Sequence, residues 1–187
     1  GPQNVGGIIN FVTRAIPGDF TADATVETDM YSHGGVKTSP SAFIGGTNER
    51  GLGGALLYSG THGNGFRESN DRVDIDDVML KGTYRIGADD SVSAALHHYE
   101  GRAGMPGGLT TRQYSEDPFQ STRPYDSFTG RRTDASFRYN HDDGINKFEL
   151  LTYYTDSFRG SSIETEGTGA NAGKRRLTFN PRNYHTF

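Results

Sequence analysis

The chain has 187 residues, no Cys and a formal net charge of -4. That excludes disulfides, thiol nucleophiles and thiolate zinc sites, and it gives no global pull toward nucleic acid. An aromatic share of 11% argues against disorder, the 26 glycines follow no collagen-like period, and no apolar run reaches the ~18 residues of a transmembrane helix.

In chain order, GPQNVGG is followed by the apolar run IINFVT, which reads as a turn into a strand. The stretch lacks the Gly-Lys-Ser/Thr ending of a phosphate loop. No strand precedes it and no helical period follows, so a dinucleotide fingerprint fails as well. From Asp19 the residues alternate. Phe20, Ala22, Ala24, Val26 and Met30 fall on one side, Asp19, Thr21, Asp23, Thr25, Glu27 and Asp29 on the other. Strict period two predicts a strand with one apolar and one wet face. SHGGVKTSPS then reads as a long polar connection, and Thr47–Gly51 as a tight turn. GLGGALLYSG is apolar enough for a strand, with ambiguous faces. After the polar stretch THGNGFRESND, VMLKGTYRI sets Val78, Leu80, Tyr84 and Ile86 against Lys81, Thr83 and Arg85. Val73 and Ile75 keep the opposite parity, which predicts a bulge near Asp76–Asp77.

Gly87–Asp90 reads as a second tight turn. SVSAALHHY is another strand with ambiguous faces, and a long loop runs from Gly101 to about Ser127. RTDASFRYN places Ala135, Phe137 and Tyr139 against Asp134, Ser136 and Arg138. His141–Gly144 reads as a third tight turn, and KFELLTYYT puts Phe148, Leu150 and Tyr154 on one face. RGSSIETEGTGANAGK is a long polar connection, and FNPRNYHTF carries a Pro and little alternation. Tight and long connections alternate, as in an up-and-down barrel with short turns on one rim and long loops on the other. The spacing gives about eight strands after residue 18, each about the 9–11 residues that cross a bilayer. A soluble antiparallel sandwich or barrel shows similar alternation and stays open on pattern alone.

The opening stretch carries a resemblance. GPQNVGGIINFVTR closely resembles the end of the plug domain in TonB-dependent outer-membrane receptors, where a Gly-rich turn leads into a Gly-x-Ile-Asn-x-x-Thr strand. Gly1, Gly6, Gly7, Asn10 and Thr13 carry this plug–barrel junction motif. ALLYSGT, DDVMLKGTY, MPGGL, QSTRPYDSFTGRR and FNPRNY are similar to the receptors of this family that take ferric citrate. The resemblance implies an all-β fold: an antiparallel up-and-down transmembrane β-barrel preceded by the last plug strand. Residues 1–18 would end the plug. Residues 19–187 would supply about eight strands of a barrel that has 22 when complete. The chain is then expected to be a fragment, since it shows neither a plug body nor a TonB box. The implied location is the outer membrane of a Gram-negative cell, and the implied partner is the TonB complex, reached through the missing part.

Ferric citrate is anionic and rich in carboxylate oxygens, so its receptor needs forked cationic donors. The third long loop offers Arg112, Arg123, Arg131 and Arg132, with Gln113 and Gln120 as neutral donors and Tyr114 and Tyr125 as walls. Glu116, Asp117 and Asp126 are competing partners for these arginines. His97 and His98, adjacent in a strand, face opposite ways and cannot share a metal. One is expected to line the lumen, the other to meet lipid or the upper interface. Asp74, Asp76 and Asp77 lack the Gly and Glu of a calcium loop and are expected to make polar lumen contacts. Asp142–Gly144 reads as a turn. No catalytic constellation, cofactor site or metal site is recognisable, and an enzyme has no positive case. The other readings are a receptor for a different ferric siderophore, a small complete eight-stranded structural barrel, and a soluble β-sheet binding module with carbohydrate-binding aromatic loops.

Overall fold

The computed structural model describes residues 13–166, 173 and 175–186. Eight strands follow one another: β1 (Thr21–Met30), β2 (Val36–Thr47), β3 (Leu52–Gly63), β4 (Val73–Ile86), β5 (Asp90–Gly104), β6 (Ser127–Asp142), β7 (Lys147–Glu166) and β8 (Arg175–Thr186). One short helix, α1 (Thr111–Glu116), lies between β5 and β6. Each strand pairs antiparallel with the next in one sheet of order β1 to β8. The sheet is open, with β1 and β8 at its edges, so it is neither a closed eight-stranded barrel nor a two-layer sandwich.

The three tight turns lie where the sequence places them. Each carries a glycine at positive φ: Gly51 at 75°, Gly87 at 71° and Gly144 at 86°. An L side chain there would strain the backbone. In the β6–β7 turn, the Asp143 carboxylate accepts from the amides of Asn146 (2.6 Å) and Ile145 (2.8 Å) and from the Asn146 side chain (2.9 Å). The backbone amide of Asn146, then its side chain, then the Ile145 amide hold this carboxyl well below the ordinary carboxylate range. Asp143 and Gly144 are thus turn structure, and Asp142 is the last residue of β6.

The register separates two faces. Ile44, Leu56, Leu80, Leu96, Ala135 and Tyr154 form one continuous row across β2 to β7. The leucines of this row stand open: Leu80 is 54% exposed and Leu96 50%. The opposite face carries Asp23, Lys81, His97, Asp134 and Arg138. The segment that precedes β1 packs against this polar side, which is therefore the inward one. Phe43 and Ala55, the buried apolar residues among those described, sit on it.

Several expectations need correction. No bulge interrupts β4: the β3–β4 and β4–β5 registers run without a slip from one end to the other. The parity change has another cause. Along the outward face, Ile86, Tyr84, Leu80 and Val78 give way to Asp76 and Asp74, while inward Lys81 and Asp77 give way to Ile75 and Val73. Both faces change polarity where the strand rises above its apolar band. For the same reason the strands exceed the expected length, reaching 16 residues in β6 and 20 in β7. Val36–Ser41 and Arg159–Glu166, expected in loops, are strand. Pro40 is accommodated because the β2–β3 ladder skips Ser39 and Pro40 while the β1–β2 ladder stays continuous, the usual answer to a missing donor. Phe179–Thr186, with its Pro, also continues as strand, in β8.

An apolar band of this size cannot face water. Each large side chain left in water forgoes about 1.5–3 kcal/mol of burial, and two strand edges are open. The isolated chain is therefore expected to aggregate or stay unfolded in plain buffer and to need detergent or lipid. Size-exclusion chromatography with light scattering checks this; a monodisperse, cooperatively folded monomer in plain buffer would contradict it.

Candidate anion-binding face

The inward face is built from the bottom by residues 13–18. The Lys81 ammonium donates to the Thr13 hydroxyl and to the Arg14 carbonyl, the latter at 2.8 Å. The Arg14 guanidinium pairs with Asp23 at 2.6 Å and lies 3.7 Å over the Phe43 ring. Thr47 donates its hydroxyl to the Pro17 carbonyl at 2.8 Å. The entering segment is thus pinned to β1, β2 and β4 by charge and by ring stacking. Of the expected junction residues, Thr13 takes part in this contact; Gly1, Gly6, Gly7 and Asn10 lie outside the described residues.

At the outer rim, three connections interlock. The Arg67 guanidinium donates to the carbonyls of Gln120 (2.7 Å) and Gly107 (3.1 Å). Asn70, at φ 58°, donates its amide to the carbonyls of Arg123 (2.6 Å) and Asp126 (2.7 Å). His33 stacks on Phe119 with ring centroids 3.5 Å apart. Asp126, 6% exposed, accepts from the Glu164 amide at 2.6 Å. Sequence reasoning missed Arg67, Asn70 and Asp126 as the clasp. An Asn between Ser69 and Asp71 in a polar run, a residue suited to left-handed backbone, was the available signal.

Of the six expected ligand residues, Gln113, Gln120 and Arg123 come together in the loop, while Arg112 stands apart and Arg131 and Arg132 diverge. Arg112, on α1, is exposed and pairs with Glu116 at 3.3 Å. Gln113 closes the capping box of that helix, accepting from the Thr110 amide at 2.9 Å. Gln120 donates to the carbonyls of Gln113 and Asp117 at 2.8 and 3.0 Å. Arg123 donates to the Glu164 carbonyl at 2.8 Å. With Gln113 and Arg175 it lines a polar pocket of about 660 Å³. Arg131 and Arg132, adjacent in β6, point to opposite faces: Arg131 goes outward, 5.9 Å over the Phe158 ring, and Arg132 goes inward to Asp134 at 2.8 Å. The walls differ too: Tyr114 and Tyr125 are 64% and 65% exposed.

The inward face supplies cations that sequence reasoning did not single out. Arg159 of β7 and Arg182 of β8 are direct cross-strand partners. Both are exposed, and among the described residues neither side chain has a hydrogen bond or ion pair. Like charges placed opposite each other oppose strand pairing. The same row continues through Gly130 and Gly101. A Cβ at Gly101 would stand 2.5 Å from the Tyr99 hydroxyl, and one at Gly130 would stand 3.3 Å from Phe128 and 3.6 Å from Tyr99. The rings of Tyr99 and Phe128 therefore lie over these glycines. Two guanidinium forks beside a flat aromatic wall, with Arg132 one inward position below, suit a planar, carboxylate-rich anion.

The histidines divide as expected. His97 turns inward between Asp77 (2.9 Å) and Asp134 (3.2 Å), and His98 turns outward to the Thr133 hydroxyl at 2.8 Å. Of the three aspartates, Asp77 faces inward. Asp74 and Asp76 lie on the outward face, against Arg72 (2.7 Å), His62 and Tyr58 (2.7 Å from Asp76). Their expected lumen role is thus wrong, because they sit one and two outward positions above Val78, where the outward face is wet. Among the described residues no group of acids and histidines has the arrangement of a metal site.

No family model matches the chain. Among solved structures, the chain is similar to the ferric citrate transporter FecA in its unliganded form, with a TM-score of 0.88 and 43% sequence identity. The match covers 99% of this chain and 27% of that one, so the chain spans about a quarter of FecA's length. The similar protein is a transporter, in keeping with a face that offers cations. As the resemblance to the TonB-dependent receptors implies, the chain is a structural and sequence relative of the ferric citrate transporter FecA.

Proposed function

We propose that the chain forms part of the wall of an outer-membrane barrel that imports ferric citrate with energy delivered through TonB, and that residues 1–18 end its plug. One observation carries the reading. A chain 43% identical to a ferric citrate transporter has two directly opposed arginines on its inward face, neither of them paired among the described residues. The outward apolar rows suit hydrocarbon, and the arginines suit an anionic chelate. The protein's task is then binding and release between two states, without covalent chemistry.

The test is a chimera in which this chain replaces the segment of FecA that it matches, expressed in cells lacking their own receptor. TonB-dependent iron uptake from ferric citrate, competed by no neutral ferric siderophore, is the expected result. A chimera that reaches the membrane but imports iron from a different chelate would keep the receptor class and remove citrate. One that imports without TonB would remove the energisation.

A further inference from the structure

We propose that Tyr99 is a further ligand-contacting residue of the inward face: its hydroxyl donates to a carboxylate of the chelate, and Gly101 and Gly130 are the positioning residues that seat its ring. The proposal rests on the reading of this face as an anion site. Three consecutive inward rows define the place. The middle row runs Ile75, Gly101, Gly130, Arg159, Arg182. Tyr99 stands in the next row toward the tight turns, opposite Arg132, and Phe128 in the next row toward the long loops, opposite Ala103.

Both glycines are buried, and side chains from the flanking rows bury them. A Cβ at Gly101 would meet the Tyr99 hydroxyl at 2.5 Å, Tyr99 Cζ at 3.0 Å and Ile75 Cγ1 at 3.4 Å. One at Gly130 would meet Phe128 Cε1 at 3.3 Å and Tyr99 Cε1 at 3.6 Å. The phenol thus leans along its strand, lies against the glycine pair and ends over Gly101, while Phe128 leans onto Gly130 from the other side. Glycine inside a strand gives up packing and marks a place where another group must approach the backbone closely. Here that group is the Tyr99 ring, because any side chain at position 101 would stand where its hydroxyl stands.

The seat holds the ring without using the hydroxyl. A ring laid over a strand glycine stabilises by apolar contact, and Phe would serve as well as Tyr. The Tyr99 hydroxyl has no hydrogen-bond partner among the described residues, whereas those of Tyr58 and Tyr139 donate to Asp76 and Asp90 at 2.7 and 2.6 Å. What the hydroxyl adds is a donor on the arginine row. Its place over Gly101 is two strands from the Arg159 backbone and three from that of Arg182, roughly 10 and 15 Å at the ordinary strand spacing. A ligand that engages both ends must carry more than one carboxylate, spread around its centre. Ferric citrate, an iron ringed by carboxylates, can set one edge on the guanidinium forks and another on the phenol, with its methylene groups resting on the two rings between.

The test uses the FecA chimera in micelles, with ferric citrate as titrant and with thermal unfolding read on the same preparations. Tyr99→Phe keeps the ring and loses the donor, so affinity is expected to fall about tenfold while the unfolding midpoint stays at the parent's value. Gly101→Ala puts a methyl group in the hydroxyl's place and turns the ring away, with a loss at least as large. The double variant is expected to bind no more weakly than Gly101→Ala alone, because both changes remove the same contact. Tyr99→Phe with the parent's affinity overturns the proposal and leaves the receptor reading standing. A fall in affinity matched by a lower unfolding midpoint overturns it as well, since the hydroxyl would then serve the fold. Losses that multiply in the double variant overturn the seating role of Gly101. A chimera that binds no ferric citrate overturns the functional reading and takes the proposal with it.

Discussion

Replacing Arg159 or Arg182 with Ala is expected to weaken ferric citrate binding by about 10- to 100-fold each, the equivalent of losing one charged hydrogen-bonding group worth about 1.5–3 kcal/mol. The same changes should leave the ligand-free protein slightly more stable. The two guanidiniums face each other across β7 and β8 without a carboxylate partner among the described residues. A cross-strand like-charge pair costs about 0.2–1 kcal/mol, and either Ala variant relieves it. Residues that serve the fold lose stability when truncated, whereas residues that serve a ligand lose binding and give stability back. Calorimetric titration and thermal unfolding on the same preparations read both signs. Unchanged affinity in both variants would remove this pair from the site, and lost stability with retained affinity would make it structural.

The second large effect lies at the outer rim. Asp126 is buried at 6% exposure and accepts from the Glu164 amide at 2.6 Å. Its own carbonyl accepts from Met105 at 2.9 Å and from Asn70 at 2.7 Å. Asp126→Ala strands a buried amide and is expected to cost about 2–3 kcal/mol. Asp126→Asn keeps an acceptor and should cost about 1 kcal/mol. Because three loops meet at this clasp, the loss should be local: faster hydrogen exchange at Glu164 and faster proteolysis between 105 and 126, with β1 to β5 protected as before. Equal exchange in the Ala variant and the parent would show that the clasp does not hold the loops.

Strand order, turn positions and face polarity were legible in the sequence because period two is a local signal. Phe20 to Met30, Val78 to Ile86 and Ala135 to Tyr139 each announce one apolar face without reference to a neighbour. The strand ends were not legible. Arg159–Glu166 is polar on both faces, like a loop, because it rises above the apolar band, where outward residues no longer meet hydrocarbon. The same loss of contrast produced the expected bulge at Asp76–Asp77. The Arg159–Arg182 pair was not legible for a related reason. Arginines in a loop-like run drew attention to Arg112 and Arg123, and the structure ties these to Glu116 and the Glu164 carbonyl. Arg159 and Arg182 stand 23 positions apart in the sequence and become neighbours only through the β7–β8 register. Cross-strand register is not a local property, so the motif-bearing stretch could point to the relative but not to this pair.

All of this depends on which face meets hydrocarbon. The absence of Cys allows nitroxide labels to be placed one at a time from Val78 to Arg85 in an otherwise cysteine-free chimera in lipid. Electron paramagnetic resonance then compares relaxation by oxygen, which concentrates in lipid, with relaxation by a water-soluble nickel complex. The account predicts strict alternation, with Val78, Leu80, Gly82 and Tyr84 favouring oxygen and Met79, Lys81, Thr83 and Arg85 favouring nickel. The reverse phase, or equal access to nickel at every position, would contradict it.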